Sequence, residues 1–190
     1  MSLPHALLGL IQYRPATGYE LKAAFDGSIH FFWNATLPQI YRTLSRMEAD
    51  GWVTSRVEHQ AKKPSRRVFS LTAAGVTEFQ RWLAEPPDKI EFRNPVLVKL
   101  FFGRQMSPEL FTAQLRRWQE SHAALLARFE SEIDPVIERY AESTGATQDA
   151  AYWRICLDYG KHHSRMVKDW CERVLTARTA RKKQGKAHGH

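Results

Sequence analysis

The segment from Thr36 to Gly51 restricts the folds open to this chain more than any other. Thr36 followed three residues later by Gln39 has the pattern of a capping box, and Pro38 stands in the first turn, where its missing N–H costs nothing. Leu37, Ile40, Leu44 and Met47 recur at spacings of three and four, so they share one helical face. Projected at about 100° per residue, the opposite face holds Pro38, Gln39, Arg42, Ser45, Arg46 and Ala49. Gly51 is placed to end the helix. Such a helix must rest its apolar back on other elements, which leaves its polar front for solvent or a partner.

The flanking sequence supplies those elements. Leu3 to Ile11 predicts a short helix with Leu7, Leu8, Leu10 and Ile11 on its apolar face, and Arg14 to Gly18 predicts a turn. Tyr19 to Phe25 predicts a second short helix with Thr17 as its N-cap, stopped by Asp26-Gly27-Ser28. After the third helix, Trp52–Glu58 and Arg67–Leu71 read as strands joined by a polar, basic loop over 59–66. Thr72 then caps a helix with Val76, Phe79 and Leu83 inward, and Glu85-Pro86-Pro87-Asp88 marks the main internal boundary.

The remainder reads as helical. Pro95–Gly103 predicts a short apolar helix, and Ser107-Pro108-Glu109 is a strong helix start. A stripe then runs from Phe111 to Tyr140, with Pro135 expected to kink or split it near residue 131. Ser143-Thr144-Gly145 turns the chain, and Thr147 opens a last helix whose expected stripe is Tyr152, Cys156, Tyr159, His163, Met166, Trp170 and Val174. On one helix, Cys156 and Cys171 would lie about 22 Å apart, too far for a disulfide. Two free thiols fit a cytoplasmic protein. The short apolar start lacks a basic flank and a small-residue cleavage site, so no signal peptide is expected, and no apolar run suffices for a membrane span.

Charge is uneven along the 190 residues. Residues 1–85 hold 10 basic and 7 acidic side chains, residues 86–177 hold 13 of each, and 178–190 hold 5 basic ones and no acid. The expected organisation is therefore a first domain over 1–85, a helical domain over 86–177 and a basic disordered tail over 178–190. Three helices followed by a hairpin with a basic connection is the order of a winged helix-turn-helix. The fold class is mainly α with a small β-hairpin. The third helix would fit the DNA major groove, with Gln39 and Arg42 reaching base edges. Lys62, Lys63, Arg66 and Arg67 would meet phosphate or the minor groove. The alternative is a winged-helix protein-interaction module with no specific DNA site, in which those cations are only solvated.

Further residues carry a family resemblance. They are Ala6-Leu7-Leu8-Gly9-Leu10, Thr17-Gly18-Tyr19-Glu20-Leu21, the run Gln39–Gly51, Phe69-Ser70-Leu71-Thr72-Ala73-Ala74-Gly75 and Leu97–Gly103. In series they resemble PadR-type transcriptional regulators, of the subgroup whose C-terminal part is similar to virulence-activator proteins. The resemblance extends to about residue 177. It implies a homodimeric regulator, usually a repressor, that binds an inverted-repeat operator as double-stranded DNA and dimerises through C-terminal helices. It also implies that Tyr41 contacts the DNA backbone. Met47 departs from the usual leucine, a tolerated swap, and Pro135 departs within the long helix.

One recognition helix reads too few base pairs to select a genomic site, which favours two copies. The stripes over 111–140 and 152–174 would be covered by a second copy or would cover each other. Phe31, Trp33, Trp118, Trp153 and Trp170 are candidates for the lining of an effector pocket for a small aromatic or amphipathic molecule. Ordinary packing is the plainer reading of each ring. His122, His162 and His163 lack the spacing and further ligands of a metal site, and no cofactor is expected. No phosphate-binding glycine loop or G-x-S-x-G elbow is present, so no catalytic residue is assigned and an enzyme is not expected.

Overall fold

The computed structural model describes residues 3–60, 63–87 and 92–187. It divides into two compact units, residues 1–88 and 89–190. Among the described residues no helix is long and apolar enough to cross a membrane.

In the first unit, α1 (Leu3–Tyr13), α2 (Gly18–Gly27) and α3 (Leu37–Ala49) precede a hairpin and α4 (Ala73–Ala84). Leu7, Leu8, Leu21, Phe25, Ile40, Leu44 and Phe69 are buried together, so the apolar back of α3 lies where its periodicity placed it. Each such side chain contributes about 1.5–3 kcal/mol when fully buried. The predicted cap of α2 forms completely. Thr17 Oγ1 accepts from Glu20 N at 3.2 Å, and Glu20 Oε2 accepts from Thr17 N at 2.7 Å.

The sheet differs from the expected two strands and long loop. It has three antiparallel strands in the order β1 (Ala16–Thr17), β3 (Lys63–Leu71), β2 (Val53–Gln60). Ala16 pairs with Phe69 inside what reads as a turn. Pairing continues through Glu58↔Arg66 to Gln60↔Lys63, with an irregularity between Glu58 and Gln60. Most of 59–66 is therefore strand. Polar cross-strand partners sustain a ladder as well as apolar ones do, so composition alone hid it.

Behind the sheet, Gly75 permits a close approach of α4 to the backbone at Trp52. A Cβ there would lie 2.0 Å from the Trp52 carbonyl oxygen, so the start of α4 can close on the strand only at glycine. His5 of α1 ties to α4 by stacking on Trp82 at 4.7 Å, with its Nε2 3.0 Å from Glu78 Oε1. Arg81 also binds Glu78 through both oxygens.

The second unit holds α5 (Pro95–Phe101), α6 (Pro108–Ser131), α7 (Ile133–Thr144) and α8 (Ala150–Ala187). Ser107 caps α6 by accepting from Leu110 N at 3.2 Å. The expected long helix splits at Glu132, just ahead of Pro135. Gly145, at φ 70°, ends α7. Arg154 of α8 holds α7 through Asp134 at 2.7 Å and Glu138 at 3.0 Å. Cys156 and Cys171 are both free thiols on α8.

One expectation is corrected in α8, whose bounds reach Ala187, within the segment read as a basic tail. Lys, Arg, Gln and Ala are good helix formers, and extending an existing helix avoids the cost of nucleation. The buried row of α8 is Leu157, Gly160, Ser164, Val167 and Cys171, rather than the stripe beginning at Tyr152. Gly160, Ser164 and Cys171 in this row are small, and hydrophobicity patterning overlooks such residues.

Hydrogen bonds from Arg81, then from His5, lower the Glu78 pKa from 4.5 to about 2. Its stabilising contribution is present above pH 4.5 and is lost as pH falls toward 2. Glu78→Gln is expected to lower the melting temperature at neutral pH and to flatten the loss of stability over that acid range, as followed by circular dichroism.

Candidate nucleic-acid interface

Burial of Ile40, Leu44 and Met47 leaves Pro38, Gln39, Arg42, Ser45 and Arg46 exposed on the other side of α3. Gln39 Oε1 accepts from Thr36 N at 2.8 Å and from Thr36 Oγ1 at 3.0 Å. Its oxygen is committed to the helix start, and its amide NH2 stays available as a donor. Arg46 Nε lies 3.7 Å from Asp50. Arg42 is exposed and engages no carboxylate among the described residues.

Tyr41 is half-buried between α2 and α3. Its ring lies against Gly18, where an added Cβ would come within 2.5 Å of it, and it meets Tyr19 edge-on at 6.2 Å. Burial, and then the neighbouring Tyr19, raises its phenol pKa, so the hydroxyl remains a donor at neutral pH. Tyr19, Glu20 and Tyr41 face Ser65, Arg66 and Arg67 of the hairpin across an open cleft of about 470 Å³.

The hairpin cations differ in their surroundings. Lys62 lies outside the described residues; Lys63 pairs through its backbone, and its side chain is also outside them. Arg66 binds Glu58 at 2.8 Å. Arg67 reaches α3 instead. Its Nε donates to Ser55 Oγ at 2.8 Å, it forms an ion pair with Glu48, and its guanidinium lies 5.1 Å from the Phe69 ring centre. The Ser55 hydrogen bond, with help from Arg67, lowers the Glu48 pKa. Arg67 is thus a strut between the end of α3 and the sheet. Sequence reasoning missed Gly18, Glu48 and Glu58, whose roles appear only once strand register and helix packing are known.

The candidate effector residues are not alike. Trp118 of α6 and Trp170 of α8 meet edge-on at 5.8 Å, and Trp118 meets His122 at 6.0 Å. His122 and His163 ring centres are 5.5 Å apart. Burial, and then His163, lowers the His122 pKa. His122 Nδ1 and Ser164 Oγ are buried without a hydrogen-bond partner among the described residues. Trp153 packs on Tyr140 at 5.5 Å instead. Trp33, in the first unit, is exposed, and the side chain of Phe31 lies outside the described residues. No group of three or more potential metal ligands occurs among the described residues.

Three packed helices, a sheet and a basic hairpin beside an exposed helix face define a winged helix-turn-helix. Residues 7–81 match the transcriptional regulator PadR-like family, and residues 92–178 match the virulence activator alpha C-terminal family. The chain is thus similar to PadR-like transcriptional regulators over its first unit and to virulence activators over its second, families of regulators and not of enzymes. It is 44% identical over 86 residues to a probable transcriptional regulator of Mycobacterium tuberculosis, a match spanning 45% of this chain and 46% of that one. The chain thus matches less than half the length of that relative. It is 29% identical over 133 residues to the negative transcriptional regulator PadR of Bacillus subtilis, covering 67% and 73% of the two chains.

The fold is likewise similar to Bacillus subtilis PadR solved with operator DNA, at TM-score 0.76 and 21% identity over 93% of this chain and 99% of that one. The same protein has been solved with p-coumaric acid, at TM-score 0.68 and 20% identity over 93% and 98%. The virulence activator AphA of Vibrio cholerae matches at TM-score 0.70 and 28% identity over 94% and 99%.

Gly18→Ala forces the Tyr41 ring out of its seat, and overpacking of this kind costs about 1–3 kcal/mol. A lower urea midpoint and a Tyr41 phenol pKa returned toward its ordinary value are the expected results, the latter read by ultraviolet titration.

Proposed function

We propose that this chain is a sequence-specific DNA-binding regulator, acting in the cytoplasm as a homodimer on an inverted-repeat operator and in most settings repressing. The observation that carries the reading is the division of α3 into a buried back and an exposed front bearing Arg42, which pairs with no carboxylate among the described residues, with Arg66 and Arg67 on the adjacent hairpin. An α-helix held in this way enters the major groove, where a guanidinium pairs with guanine O6 and N7. Tyr41 and the hairpin then serve the phosphates. The operator complex of Bacillus subtilis PadR supports the mode of binding, and that relative's role as a negative regulator supports repression.

The homodimer is supported by α8. Tyr152, Ile155, Tyr159 and Met166 are 69, 66, 65 and 55% exposed, at spacings of three, four and seven. This heptad-like seam is too apolar to stand in water along a whole helix. A second copy would cover it. For release from DNA, we infer a flat aromatic acid or an amphipathic molecule bound beside Trp118 and Trp170, where His122 and Ser164 offer unpaired polar atoms. The p-coumaric acid complex of the Bacillus subtilis protein supports this ligand class.

Binding is tested with a labelled duplex from upstream of the protein's own gene, against random duplex, at two salt concentrations. Tight, salt-sensitive and selective binding is expected; absence of binding to either duplex at low salt would refute the reading. Arg42→Ala should lose about 1–3 kcal/mol and relax preference at one base pair in each half-site. Light scattering should give a dimer for the native chain and a monomer for Ile155→Glu/Tyr159→Glu. Phenolic acids should quench tryptophan fluorescence, and Trp118→Phe should weaken the signal.

A further inference from the structure

The wing arginines are already engaged in the free protein. Glu58 and Arg66 stand directly opposite each other across β2 and β3, and Arg56 lies two residues along the same face. Glu58 Oε2 accepts from Arg66 at 2.8 Å. Its other oxygen accepts from Arg56 Nε at 3.1 Å and from a terminal nitrogen at 2.8 Å. These hydrogen bonds, Arg66 first, lower the Glu58 pKa, so it is a carboxylate at any physiological pH. Another nitrogen of Arg66 lies 3.8 Å from Glu20, which the Thr17 cap fixes in place. Arg66 therefore lines the cleft beside Tyr41 with carboxylates at two of its sides.

We propose that Glu58 is a built-in competitor for DNA phosphate, which occupies Arg56 and Arg66 in the free protein and so restrains binding to DNA of arbitrary sequence. The inference rests on the DNA-binding reading above. A phosphate oxygen and a carboxylate oxygen suit the same face of the guanidinium fork, so they compete for it. Affinity for arbitrary sequence is built almost wholly from phosphate contacts and counterion release, whereas base readout is not. Withholding wing cations therefore weakens sequence-independent complexes most. Arg42, on the base-reading helix, has no such competitor among the described residues. Carboxylates thus face the wing arginines and, at the end of α3, Arg46, while Arg42 on the exposed front of the helix faces none among the described residues.

The test is Glu58→Gln, which keeps the shape of the side chain and removes its charge, in the full chain. Binding to a random-sequence duplex is followed by fluorescence anisotropy across a salt series, with melting curves to verify folding. The variant is expected to bind random duplex about 3- to 10-fold more tightly at low salt, with a log–log salt slope steeper by about one unit per protomer. The gain should vanish in an Arg56→Gln/Arg66→Gln background. A folded Glu58→Gln variant with unchanged affinity and slope would overturn the proposal, as would an undiminished gain in that background, which would mark a general charge effect. If the native chain binds no duplex at low salt, the DNA-binding reading falls, and this inference with it. If it binds and Glu58→Gln changes nothing, this inference alone falls.

Discussion

Burial of Ile40, Leu44 and Met47 against α1, α2 and the sheet is the constraint on which the rest of the first unit depends. An α-helix fixes the angle between its residues, so seating three of them in a core orients all the others. Pro38, Arg42, Ser45 and Arg46 are exposed for that reason. Truncating Leu44 would therefore damage the exposed face as well as the core, since a loosened helix no longer presents Arg42 at a defined angle.

The polar connections around α3 have a different role from the core. Arg67 spans from the sheet to Glu48 near the end of α3, with Ser55 between them. Tyr41 packs on Gly18 at the start of α2. Exposed ion pairs of this kind contribute little stability each. They set the relation of helix to hairpin, which is what the proposed DNA-binding reading requires. The same chemistry, guanidinium on carboxylate, holds Arg67 as a strut and Arg66 in reserve. The two are distinguished by what the carboxylate belongs to: Glu48 is on the helix, and Glu58 is on the hairpin itself.

In the second unit the close packing of α6 on α8 runs along Leu157, Gly160, Ser164, Val167 and Cys171. Gly160, Ser164 and Cys171 are small members of this row, and Trp170, Val174 and Leu175 pack beside it, while Tyr152, Ile155, Tyr159 and Met166 are exposed. That arrangement inverts the usual expectation for a helix in a monomer and leaves a seam of Tyr and Ile exposed. Trp118 and Trp170 pack against the core of the same helix pair, with His122 beside Trp118.

The sequence by itself determined the three helices, the cap of α2, the apolar back of α3, the exposed identity of its front and the break before Pro135. Each of these follows from local rules of periodicity, capping and proline geometry that operate within a few residues. Tertiary structure decided which side chains meet. Strand pairing as far as Gln60↔Lys63 placed Glu58 opposite Arg66, and the addition of Ala16–Thr17 as a third strand brought the cap of α2 to the sheet. The close seat of Tyr41 on Gly18 and the small-residue face of α8 belong to the same class. A partner far away in the chain leaves no periodic trace near either residue, so register and packing had to form before carboxylate and guanidinium could be seen to share one site.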